Sequence, residues 1–108
     1  MELRHSPRFP VHCPLSFSAG EVFGVGTLVN LSSGGWMVTS NRPVRPGMHL
    51  TLHVLLPDLD QPLDVEDATV QWTYGQTFGL KPVCMGIGEW KRLRRFSSKL
   101  LETSLSRF

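Results

Sequence analysis

Met48-His49-Leu50-Thr51-Leu52-His53-Val54-Leu55-Leu56 carries an apolar residue at every second position from Met48 to Leu56. Successive side chains of a strand point to opposite faces. The stretch therefore reads as a strand with Met48, Leu50, Leu52, Val54 and Leu56 turned one way. Upstream, the alternation returns in residues 11–19, where Val11, Cys13, Leu15 and Phe17 oppose His12, Pro14, Ser16 and Ser18. Pro14 has no N–H for a sheet ladder, which favours an edge position for this strand. Gly20-Glu21 turns the chain into a second strand over residues 22–31, rich in β-branched residues and glycine. Gly24 and Gly26 share one face of it, where missing side chains let a strand bend or another backbone approach. Asn30-Leu31-Ser32-Ser33-Gly34-Gly35 is dense in turn-forming residues, and residues 36–40 follow as a short third strand.

Loops flank the central strand on both sides, at Arg42-Pro43-Val44-Arg45-Pro46-Gly47 and Pro57-Asp58-Leu59-Asp60-Gln61-Pro62. Residues 63–74 and 77–85 form a further strand pair joined at Gly75-Gln76. Five or six strands at such short spacing indicate a small antiparallel barrel or sandwich. A sheet this small gains most by closing its edges, which favours the barrel. From residue 88 to 108 the period changes. Trp90, Leu93, Phe96, Leu100, Leu101, Leu105 and Phe108 gather on one arc at about 100° per residue. Lys91, Arg92, Arg95 and Lys99 take the opposite arc, and Glu89 sits in the first turn, where the helix dipole favours an acid. An amphipathic C-terminal helix lying across the barrel is expected.

The 108 residues suit one compact domain, and 41% apolar with 19% charged residues argues for a packed core rather than disorder. No apolar run approaches the ~20 residues of a membrane-spanning helix, so no membrane insertion is expected. Met1-Glu2-Leu3-Arg4-His5 lacks the apolar stretch of a secretory signal, which makes the cytoplasm the expected compartment. Cys13 and Cys84, both flanked by apolar residues, read as small apolar fillers rather than a disulfide framework. The formal net charge of +2 is unevenly spread. From Gly86 onward six basic residues face Glu89 and Glu102, whereas the rest of the chain holds five basic and seven acidic residues. A basic appendage thus follows a slightly acidic body.

Catalytic signals are missing. No nucleophile elbow, phosphate-binding loop or dinucleotide fingerprint occurs, so an enzyme is not expected. His49 and His53 stand four apart on a strand, a spacing that does not converge, so no metal site is expected. Asp58, Asp60, Asp64, Glu66 and Asp67 read as solvated charges in and near a turn.

Two short segments remain. Arg4-His5-Ser6-Pro7-Arg8 sets two arginines four apart on a segment, residues 1–10, that reads as a flexible N-terminal arm ahead of a domain over residues 11–108. Asn30-Leu31-Ser32-Ser33-Gly34-Gly35 follows the first strand pair. Together they resemble the PilZ domain family, which is marked by Arg-x-x-x-Arg and then Asp/Asn-x-Ser-x-x-Gly. Arg4, Arg8, Asn30, Ser32 and Gly35 fill the five positions. Ala68-Thr69-Val70-Gln71-Trp72 with Phe78-Gly79-Leu80 resembles the family's late strand pair, and the closing helix also fits. The resemblance covers almost the whole chain. It implies an all-β fold, a small six-stranded antiparallel β-barrel with a C-terminal amphipathic α-helix. It also implies a receptor for the bacterial messenger cyclic di-GMP, with no cofactor beyond that ligand.

The chemistry of these residues suits that ligand. An arginine fork pairs with phosphate oxygens or with guanine O6 and N7, and its plane stacks on a base. Asn30 and Ser32 alternate on a strand end and so point to one side, where an amide and a hydroxyl can hydrogen-bond a guanine edge. Asn30 stands where the family more often has Asp and lacks the charge that best accepts from guanine N–H groups. Gly35 permits close backbone approach or a positive φ. Trp72 offers a stacking face, although a core position is its commoner use. The expected partners are cyclic di-GMP and an effector protein, which would meet the basic helix face or the reordered arm. A PilZ-type adaptor that binds protein alone is an alternative, opposed by the presence of both motifs. A small nucleic-acid-binding barrel is another. It is opposed by only 9% aromatic residues with no basic-aromatic interleaving, so no nucleic acid polymer is expected as partner.

Overall fold

A computed structural model describes residues 8–32, 34–57 and 61–105, with side chains to residue 102. Six strands run in the order β1 (Phe9–Ala19), β2 (Val22–Ser32), β3 (Gly35–Ser40), β4 (His49–Val54), β5 (Leu63–Tyr74) and β6 (Thr77–Cys84), followed by α1 (Ile87–Leu105). All neighbours are antiparallel, and the sheet closes into a barrel in the order β1-β2-β3-β6-β5-β4.

Alternation fills the interior. Leu15 and Phe17 from β1, Leu50, Leu52 and Val54 from β4, and Leu63, Val65 and Val70 from β5 are all buried. Phe17 meets Phe78 edge to face, with ring centroids 5.8 Å apart. This geometry aligns the positive ring edge with the negative face. The two glycines of β2 make room in different ways. A Cβ at Gly24 would enter the Phe17 ring, and one at Gly26 would enter the Thr39 carbonyl of β3.

Two strand readings need adjustment. β1 begins at Phe9, pairing Phe9 with Leu31 and Pro10 with Asn30, so the strand takes up two residues assigned to the arm. Pro14 is not on a free edge of an open sheet. It lies where β1 loses its second neighbour: β4 pairs only with Leu15–Ser18, and just beyond it the Pro14 carbonyl accepts from the Leu55 amide at 2.9 Å.

The helix divides its apolar arc. Phe96 is buried, and Leu93 and Leu100 pack against the core, while Trp90 and Leu101 stay 40% and 43% exposed. Its start is fixed to the head of β5. Glu89 accepts from the Asp64 amide at 2.6 Å and pairs with Arg92 at 2.9 Å, and Arg92 also donates to the Pro62 carbonyl. Arg92 is therefore half-buried and committed, not part of a solvated basic face.

The outer faces of β4 and β5 hold two His–Asp hydrogen bonds. His53 meets Asp64 at 2.7 Å and His49 meets Asp67 at 2.8 Å, so these two acids are partnered across the sheet instead of merely solvated. Among the described residues no cluster could hold a metal ion, and no helix is long and apolar enough to cross a membrane. Cys13 is a buried filler as expected, but Cys84 is not. It is exposed on the outside of β6 and donates to Glu66 at 3.1 Å.

Candidate functional site

Three irregularities in the ladder surround one end of the barrel. Register shifts fall between Pro10 and Cys13 in β1, between Leu28 and Asn30 in β2, and between Val70 and Trp72 in β5. An extra residue in one strand breaks the two-residue alternation and re-aims the side chains beyond it. In β5 the shift brings both Gln71 and Trp72 to the surface, though neighbours on a regular strand would face opposite ways.

The result is a small polar notch of about 70 Å³. Arg8, at the doorstep of β1, Asn30 from β2, Gly35 from the start of β3 and Trp72 from β5 all line it. Four separate segments thus bring four of the expected site residues to one place. Arg4 lies outside the described residues.

Trp72 is 43% exposed and is not a core residue. Its indole rests over Gly79, its partner across the β5–β6 ladder, on space that a Cβ at Gly79 would fill. One ring face packs on the strand, and part of the indole still reaches solvent beside the notch. Gly35 has a φ of 159°, a backbone conformation that residues with a side chain rarely adopt, so the positive φ expected of this glycine is present. A Cβ would stand 3.5 Å from the Gln71 amide oxygen and 3.4 Å from the Leu80 carbonyl oxygen. The missing side chain leaves space at the wall of the notch.

Ser32 departs from the expected arrangement. Its hydroxyl donates to the Gly35 carbonyl at 2.9 Å and closes the β2–β3 turn. It lines a second, larger groove rather than the notch that holds Asn30. Gln71, conversely, lines the notch without having been singled out as a site residue. Only the bulge places it there, and bulges leave no mark in a hydrophobic pattern.

The larger groove, about 420 Å³, runs between the barrel wall and α1. Trp36 is buried and is the one lining residue that the two cavities share.

Comparison with known proteins bears on the fold and on the family. No curated protein matches the chain. Among solved structures it is similar to the Bacillus subtilis inhibitor of motility (MotI/DgrA), with a TM-score of 0.71 and 18% identity over 94% of this chain and 53% of that one. The chain thus spans about half the length of that protein, and a likeness at this identity speaks for the fold alone. The PilZ domain family model matches residues 2–99, a span holding both arginine and Asn-x-Ser-x-x-Gly motifs, all six strands and most of the helix. On that match, the chain belongs to the PilZ domain family.

Proposed function

We propose that the chain is a non-enzymatic receptor for cyclic di-GMP that passes the binding event to an effector protein. The observation that carries this reading is the convergence of Arg8, Asn30, Gly35 and Trp72, from four segments, on one notch. Membership of the PilZ family supports the choice of ligand. At about 70 Å³ the notch is far below the roughly 300–1,000 Å³ of a cavity that encloses a drug-sized ligand. It anchors one group, and the rest of the dinucleotide lies across the outer wall.

The roles follow from chemistry. Arg8 supplies a bidentate fork to a phosphate or to guanine O6 and N7. Asn30 offers an amide to a guanine edge. Trp72 supplies a stacking face already held in place by Gly79. Arg4, four residues ahead of Arg8, adds a second fork from the arm. Ser32 contributes by holding the turn that presents Gly35.

Calorimetric titration of the purified protein with cyclic di-GMP is the test, with GMP and a short single-stranded oligonucleotide as controls. Saturable binding of cyclic di-GMP alone is expected. No heat with the dinucleotide would overturn the receptor reading in favour of a protein-only adaptor, and preference for the oligonucleotide would favour a nucleic-acid barrel.

A further inference from the structure

The larger groove is a trough with two unlike walls. One wall is the barrel, through Phe9, Leu31, Trp36 and Pro82, with the exposed Lys81 among them. The other is a single flank of α1. Trp90, Arg94, Ser97 and Leu101 recur at i, i+4, i+7 and i+11, which places them one above another. The floor is apolar, and each wall carries one exposed cation, Lys81 on the barrel and Arg94 on the helix. The half of the apolar arc that the core does not use therefore faces this trough.

The walls constrain what fits. Strand addition is disfavoured, because Pro82 on the trough's wall has no N–H to offer a new strand. Recognition must run through side chains, which is how an amphipathic helix seats in a groove. A second copy of this chain fits poorly. Beyond residue 85 its charges are six basic against two acidic, so helix against helix would bring like charges together. Cations on both walls call for acids on both borders of the occupant's apolar stripe.

We infer that this trough is the effector-docking surface, and that its occupant is an amphipathic helix of a partner protein with an apolar stripe bordered on both sides by Asp or Glu. The inference rests on the receptor reading for its biological sense and deepens it by naming the surface and the chemistry of the partner. Phe9 is joined directly to Arg8, and Trp36 lines both trough and notch, so the proposed ligand site and the docking surface are adjacent.

The test uses a dye-labelled, capped 18-residue helical peptide of leucine and glutamate, and its counterpart with lysine for glutamate, read by fluorescence anisotropy at moderate salt. The full chain should bind the acidic peptide at least tenfold more tightly than the basic one. The double variant Lys81→Glu/Arg94→Glu should reverse that order, and Leu101→Ala should weaken the acidic peptide several-fold. All these side chains are exposed, so the melting temperature should not move. Equal affinity for the two peptides, or an unchanged preference after charge reversal, overturns the inference. So does binding to phosphatidylglycerol vesicles with no measurable peptide binding, which would make the trough a lipid-facing surface. A parallel cyclic di-GMP titration separates the two readings: messenger binding without peptide preference sinks the docking surface alone, and peptide preference without messenger binding sinks the receptor alone.

Discussion

The indole of Trp72 lies across Gly79 of the neighbouring strand, on space that any side chain at position 79 would claim. An aromatic ring covering a glycine in this way protects the bare backbone and fixes the ring's own orientation. Gly79→Ala should therefore displace the indole, lower stability by about 1–3 kcal/mol and weaken cyclic di-GMP binding. Trp72→Ala should cost about 1–3 kcal/mol of affinity, the scale of one stacked base. Combining the two removes the clash, so Gly79→Ala should cost less stability in the Trp72→Ala background. Denaturant unfolding and calorimetry on the three variants check this; strictly additive stabilities would refute the steric account.

Arg8→Ala should weaken messenger binding by about 1–3 kcal/mol, the worth of a bidentate charged contact. Its side chain is exposed, so unfolding should be unchanged. Arg4→Ala is expected to behave alike. Wild-type calorimetric affinity in both variants would remove the arginine pair from the site.

The Ser32 hydroxyl and the Gly35 carbonyl, 2.9 Å apart, predict a different signature. Ser32→Ala should lose about 0.5–1.5 kcal/mol of stability together with some affinity, because the turn loosens. Asn30→Asp should preserve or strengthen binding by accepting more strongly from guanine N–H groups. A clear drop in affinity for Asn30→Asp would mean that the side chain faces a phosphate.

One ligand per chain is the expected stoichiometry. Two stacked dinucleotides bring four phosphates together and need extra positive charge close by. Leu3 and Glu2 precede Arg4, and Arg4 and Arg8 are the only Lys or Arg in the first 40 residues. Titration at protein concentrations well above Kd reads the number directly, and a midpoint near two would defeat the charge argument.

Cys84 carries a thiol held above its ordinary pKa, because it donates to Glu66 and sits beside that carboxylate and Asp67. A raised pKa keeps the thiol protonated, so the reactive thiolate is scarcer at any pH below it. Glu66→Gln should lower the pKa and speed alkylation by iodoacetamide at pH 8, while Cys13, buried in the core, stays unmodified until unfolding. Equal alkylation rates in the variant and the parent would show that Glu66 does not control this thiol.

Much of the barrel can be read in the chain because its interior obeys a period of two. Leu50, Leu52 and Val54 announce their own strand, and the Phe17 and Val70 strands do the same. What escapes that reading is set by neighbours rather than by local pattern. Gln71 enters the notch through a bulge, Ser32 is drawn away from Asn30 by its bond to Gly35, and Arg92 leaves the solvated arc for Glu89 and the Pro62 carbonyl. Cys84 looks apolar in context, yet only the barrel shows that its face of β6 is outside. The helix announces one wide apolar arc, and only the packing shows that Trp90 and Leu101 are left over.

Trp36 is a party wall. If the messenger and the partner helix take the two sides proposed for them and Trp36 couples them, neither has a private affinity. Whatever factor one imposes on the other's dissociation constant must be returned in full. The messenger concentration at which such a receptor responds is then no constant of the chain. It slides with the abundance of the partner, and a cell could retune the same protein by making more or less of what it docks.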